Sequence, residues 1–109
     1  MDGMESESKI MTWSGKYDQW LMGQLKNTQF ATEYLNAAAE DEDIRSYIVA
    51  LRNVVEARGG ISEVAEKTSL SKETLYRTLS ARGNPTIKTL NAILHATGLK
   101  MTVAAYQAP

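Results

Sequence analysis

The chain has 109 residues, 43% of them hydrophobic, and a formal net charge of -1; that length and composition suit one small folded unit and exclude a disordered tail or a large multidomain enzyme. It has no cysteine and one histidine, His95, so disulfides, thiolate nucleophiles and Cys-based zinc sites are excluded and an imidazole metal centre is disfavoured. No run of 18 apolar residues occurs and the start MDGMESESK lacks a basic-then-apolar leader, so a cytoplasmic protein with no membrane partner is expected.

Residues 1–11 read as a flexible polar tail. From Thr12, a candidate cap, the spacing Trp13, Tyr17, Trp20/Leu21, Leu25 predicts an amphipathic helix. Asn27-Thr28 interrupts it, and Phe30, Ala31, Tyr34, Leu35 and Ala38 mark one side of a second helix that the acidic run 40–43 closes. Residues 12–43 thus form an acidic helical extension, with nine acids against three bases over residues 1–43, a net of -6.

Residues 44–104 are of opposite character. With the last five residues they hold nine bases and four acids, a net of +5. Ile44, Ile48, Leu51 and Val55 predict a helix capped by Asp43, with Arg45, Arg52 and Arg58 on its other faces and Gly59-Gly60 as its stop. Two short helices follow at 62–68 and 72–79, the second capped by Ser71. Arg82-Gly83-Asn84-Pro85 is a turn, and Thr86 caps a last helix with Ile87, Leu90, Ile93 and Leu94 inward, ending near Gly98. The alternation of Leu99, Met101 and Val103 suggests a short C-terminal strand or an extended pairing segment, which must pair across a dimer, with another segment or with a partner protein because one strand is not stable alone. Residues 105–109 read as a tail.

Residues 61–80, ISEVAEKTSLSKETLYRTLS, have the layout of a helix-turn-helix. Ala65 is the small residue at the closest approach, Leu70 sits at the turn, and Leu75 and Leu79 anchor the second helix. Its outward face then carries Ser71, Lys72, Glu73, Tyr76 and Arg77. Arg77 or Lys72 could donate to guanine edges or phosphate, and Glu73 could accept from cytosine N4. Helix N-termini near Ser62 and Ser71 could hold phosphate oxygens, and Arg82, Asn84 and Lys88 suit backbone contacts. The same residues would also be ordinary on the solvated face of a small helical domain. Glu56, Glu63, Glu66 and Glu73 are spaced as solvated carboxylates, and no phosphate loop or metal-ligand spacing occurs, so no enzyme, cofactor or metal is expected.

The stretch from Ile61 to Val103 resembles the Cro/phage-repressor type of helix-turn-helix domain. More narrowly, the run from WLMGQLKNTQFATEYLNAAAEDED onward is similar to the addiction-module antidote proteins, HigA-like antitoxins paired with RelE/HigB-like toxins. Phe30 with EYLNAAAED at 33–41, Arg58-Gly59-Gly60, LSKETLYRTLS at 70–80, GNPTIKTL at 83–90 and Gly98-Leu99-Lys100 carry the likeness, which spans residues 13–104. It implies an all-α fold, a lambda-repressor-like five-helix domain with an N-terminal helical extension. It also implies a homodimer that binds a double-stranded DNA operator, represses its own operon and neutralises a toxin that degrades messenger RNA. Carried over by position, Ser71, Lys72, Glu73 and Arg77 would read DNA, with Ser62 and Thr74 as phosphate or edge contacts. Ser69 departs from the pattern, since glycine is common there.

The resemblance also gives the acidic half a use, because a nuclease acting on a polyanion tends to be basic. Trp13, Tyr17, Trp20, Asp41 and Glu42 are the candidates for holding such a toxin. For the aromatic residues the competing role is local packing, and for the acids a soluble helix cap. A stand-alone phage-type regulator without a toxin, or chiefly a protein-binding inhibitor, are the other readings.

Overall fold

The computed structural model describes residues 15–106, and within them the chain is all-α, with six helices. They are α1 (Lys16–Leu25), α2 (Thr28–Ala39), α3 (Ile44–Ala57), α4 (Gly60–Thr68), α5 (Lys72–Thr78) and α6 (Ile87–Ala96). The expected Thr12 cap, Trp13 and the tail at 1–11 lie outside the described residues.

Short polar side chains set the helix starts. Asn27 accepts the Phe30 amide at 2.9 Å, Asp43 that of Arg45 at 3.0 Å, Ser71 that of Thr74 at 3.0 Å and Thr86 that of Thr89 at 3.1 Å. Each satisfies an amide that the first helical turn leaves without a partner. Helix α3 is the hub, packing against α1, α2 and α4, while α4 also contacts α5 and α6. Leu51, Val54 and Val55 of α3 are buried with Leu21 and Leu25 of α1, Ala31 and Leu35 of α2, Val64 of α4, Leu75 of α5, and Ile93 and Leu94 of α6. The core therefore runs across residue 43, from the acidic helices into the basic half.

Two polar ties cross this core. The buried Asn53 donates to the Tyr34 hydroxyl at 2.9 Å, while its Oδ1 has no hydrogen-bond partner among the described residues. Burial raises the Tyr34 pKa, partly offset by that hydrogen bond. Arg58, at the C-terminal cap of α3, donates to carbonyls of Leu25 (3.2 Å), Lys26 (2.9 Å) and Thr97 (2.7 Å) and to the Thr28 hydroxyl (3.1 Å). One guanidinium thus joins the ends of α1 and α6 to the start of α2.

Several sequence-based expectations are corrected. The described residues contain no strand: residues 99–106 form no regular secondary structure, because a lone segment has no neighbour to complete a ladder. Residues 44–104 form four helices, not five. Helix α4 starts at Gly60, two residues early, because Gly59 and Gly60 both take positive φ (129° and 83°) and the chain re-enters a helix directly. Ile44 and Ile87, expected inward, are exposed, since each opens its helix beyond the packed region.

The end of α6 sets the course of the C-terminal segment. Gly98 has φ 87°, its amide donates to His95 O at 3.0 Å, and the Leu99 amide reaches Leu94 O at 2.8 Å. This is a Schellman turn, and Leu99 packs against the core beside it. No helix among the described residues is long and apolar enough to cross a membrane.

Candidate functional site

Helices α4 and α5 are joined by Ser69, Leu70 and Ser71. The tight connection requires a left-handed residue, and Ser69 takes it with φ 64° and ψ 15°; it is the non-glycine residue of positive φ among the described residues. Thr68 steadies the turn: its hydroxyl donates to Val64 O at 2.7 Å and accepts the Leu70 amide at 3.2 Å. On the inner side Val64, Leu75 and Leu79 are buried and Ala65 and Leu70 pack against them. A helix only seven residues long is held by that anchoring more than by its own propensity.

On the outer side Lys72, Glu73, Tyr76 and Arg77 are exposed. Glu73, Tyr76 and Arg77 are spaced i, i+3, i+4 and so share one face of α5. None of Lys72, Glu73, Arg77, Arg82 and Lys88 takes part in a salt bridge among the described residues, where the pairs are Asp43–Arg45 and Glu63–Lys67. Arg82 and Asn84 are exposed in the turn after α5, and Lys88 on the first turn of α6. Ser62 is exposed in the first turn of α4, which has no side-chain cap.

Two of the expected contacts are already engaged within the fold. Ser71 Oγ accepts the Thr74 amide and donates to the Thr74 hydroxyl at 2.9 Å, so this pair first sets the helix start. The turn at 80–85 has a steric requirement the sequence did not reveal: a Cβ on Gly83 would stand 1.8 Å from the Thr78 carbonyl oxygen. Only glycine lets this loop fold back against the end of α5.

The acidic half offers a second exposed surface. Tyr17 and Trp20 are 65% and 50% exposed. Their rings are 5.8 Å apart, Trp20 meets Phe30 edge-on at 5.8 Å, and Phe30 stacks with Tyr34 at 6.5 Å. The aromatic row is thus half-buried at Phe30 and Tyr34 and open at Tyr17 and Trp20. Asp41 and Glu42 are exposed in the α2–α3 turn. Asp41 accepts the Asp43 amide at 2.8 Å and the Ser46 hydroxyl at 2.7 Å, and these bonds, the amide first, lower its pKa. It is therefore fixed in the turn, whereas Glu42 is not.

No group of three or more His, Cys, Asp or Glu among the described residues could hold a metal ion. The arrangement is that of a small helical protein in which a tightly joined pair of helices presents a charged, aromatic face. Over residues 16–105 the chain matches the family described as "Probable addiction module antidote protein", and it belongs to that family. It is also 34% identical over 70 residues to an uncharacterized protein of Haemophilus influenzae, a stretch covering 64% of this chain and 71% of that protein. No solved structure matches the chain. An addiction-module antidote serves as the antitoxin of a toxin–antitoxin pair and is not an enzyme; a toxin partner is implied by membership.

Proposed function

We propose that this antidote is also a sequence-specific DNA-binding repressor, acting as a homodimer on the operator of its own operon, with α4 and α5 as a helix-turn-helix of the Cro/phage-repressor type. The observation that carries the reading is the α5 helix: Leu75 and the following Leu79 buried, Lys72, Glu73, Tyr76 and Arg77 exposed, and its entry fixed by the left-handed Ser69 and the Ser71 cap. Seven residues span roughly 10 Å, which fits the major groove. Arg77 and Lys72 donate to guanine edges or phosphate, Glu73 accepts from cytosine, and Tyr76 adds apolar contact. Ser62, Arg82, Asn84 and Lys88 hold the DNA backbone, while Ser71 and Thr74 act chiefly through the cap. Two such helices in a dimer read half-sites about one DNA turn apart.

Arg77→Ala tests it. Fluorescence anisotropy with the chain's own promoter DNA at fixed salt should show affinity weakened roughly tenfold or more, with the oligomeric state unchanged. Unchanged affinity removes the assigned role.

The exposed Tyr17 and Trp20 favour a second activity of the same chain, capture of a basic RelE/HigB-like toxin that degrades messenger RNA. Trp20 would be an aromatic anchor, Tyr17 its flank, and Glu42 the acidic rim that attracts the toxin's charge, Asp41 being held in the turn by its own hydrogen bonds. Because Leu21, Leu25, Ala31 and Leu35 belong to the common core, point changes such as Trp20→Ala test this, not removal of residues 1–43.

A further inference from the structure

A groove of about 530 Å³ lies between α2, the start of α3, α6 and the segment that follows α6. Leu35, Tyr47, Leu90, Leu94 and Met101 give it an apolar lining. Ile44 on its rim is 66% exposed. The volume is large enough for several side chains. The chain does not fill it: residues 98–102 form one wall, and beyond them Val103 and Tyr106 are 97% and 87% exposed. After Leu99, the backbone of residues 100–106 makes no hydrogen bond to the described residues. An open apolar groove and an exposed, unpaired apolar segment therefore adjoin on one molecule.

We propose that this groove receives residues 103–106 of a second copy of this chain, each copy giving its segment to the other. The occupant follows from three features. The segment begins where the groove's wall ends, so one two-fold axis beside it brings each segment to the other copy's groove and closes the assembly. Residues 103–106, VAAY, carry no charge, matching the apolar lining. The groove has Asp41 and Lys100 among its lining residues, so a reciprocal contact can set Lys100 of each copy against Asp41 of the other. A strongly basic partner would find no such match, because a lysine stands in the wall. The proposal rests on the homodimer reading above and names its interface, on the opposite side of α2 from the Phe30 and Tyr34 rings.

The test uses the full chain. Val103→Asp changes a side chain that is 97% exposed, so circular dichroism should show an unaltered fold. Sedimentation velocity over a wide concentration range should show the dimer's dissociation constant raised roughly a hundredfold, since two carboxylates would enter an apolar contact. A second arm exploits the absence of cysteine. Protein carrying Ile44→Cys, mixed with protein carrying Val103→Cys, should form a crosslinked heterodimer under mild oxidation. A Val103→Asp protein that dimerises as tightly as wild type overturns the interface while leaving the homodimer reading intact. A wild-type chain that is monomeric throughout overturns both. A monomeric wild type whose capture of a co-expressed toxin is lost in Val103→Asp gives the groove to the toxin and overturns the second copy as occupant.

Discussion

The Arg58 guanidinium donates from Nε to the carbonyl of Thr97 at 2.7 Å, a contact between residues 39 positions apart that fixes where α6 ends. The same group donates to Leu25 and Lys26 carbonyls and the Thr28 hydroxyl. Those carbonyls belong to helix C-termini, where the backbone presents unsatisfied acceptors and the negative end of the helix dipole. A positive, planar, multi-donor group is the fitting partner, and lysine is not its equal because one ammonium cannot reach all the acceptors together. Arg58→Ala should destabilise the protein by roughly 2–4 kcal/mol, and Arg58→Lys by at least half as much. Urea denaturation followed by circular dichroism measures both. A lysine variant indistinguishable from wild type would mean the fork geometry is unimportant.

Ser69 shows how a sequence departure can leave the geometry intact. The turn before Leu70 requires a left-handed residue, and Ser69 adopts φ 64° where a glycine would meet no steric penalty. The α4–α5 core imposes this strain, which for a non-glycine residue costs about 1–2 kcal/mol. Ser69→Gly relieves it while adding freedom to the unfolded chain, so the net gain should be about 0.5–1 kcal/mol. Thermal denaturation should show a higher midpoint with operator affinity unchanged. A lower midpoint would show that the serine is held by something other than backbone geometry.

What was legible in the sequence was local. Asp43, Ser71 and Thr86 were readable as caps because an N-cap acts within three residues of itself, and each accepts an amide of its own first turn. Ile48, Leu51 and Val55 were readable as core because helical periodicity is local too, and all three are buried. The same periodicity misplaced Ile44 and Ile87, since it fixes a face but not how far the neighbouring helix reaches. Arg58 could be placed away from the apolar stripe of α3, but its acceptors lie 30 to 39 positions distant. The groove was equally hidden, because α2, α6 and residues 98–102 meet only after folding. For the candidate site, the spacing of residues 72–77 gave the exposed face, while the engagement of Ser71 with Thr74 required side-chain geometry.

Gly83 was readable only as a turn residue, yet its requirement is steric closeness and not a left-handed backbone. A Cβ there would stand 1.8 Å from the Thr78 carbonyl oxygen and 2.6 Å from its carbon. Both are backbone atoms, so relief requires moving the end of α5 or the loop itself. Gly83→Ala should destabilise by roughly 1–3 kcal/mol. It should also weaken operator binding beyond the stability loss, because Arg82 and Asn84 flank the displaced position. Anisotropy measured well below the unfolding temperature separates the two effects, and unchanged affinity would exclude this loop from the DNA contact.

Asp43 links helix capping to pH. Its carboxylate accepts from the Arg45 side chain at 2.7–3.1 Å and from the Arg45 amide at 3.0 Å, and these bonds, the side chain first, lower its pKa from 3.8 to about 2. A carboxyl whose pKa falls on folding stabilises the native state above its unfolded value and loses that contribution as pH drops toward the folded one. The window here runs from 3.8 down to about 2. Asp41 shifts in the same direction, so these two aspartates of the α2–α3 turn act together. Asp43→Asn keeps a capping oxygen but removes the charge, and its urea midpoint should fall less steeply than that of wild type through this window. High salt should narrow the difference, because Asp43 and Arg45 are exposed. Carbon-detected titration of the Asp43 carboxyl checks the cause directly: a midpoint near 3.8 would mean the Arg45 pairing does not hold in solution.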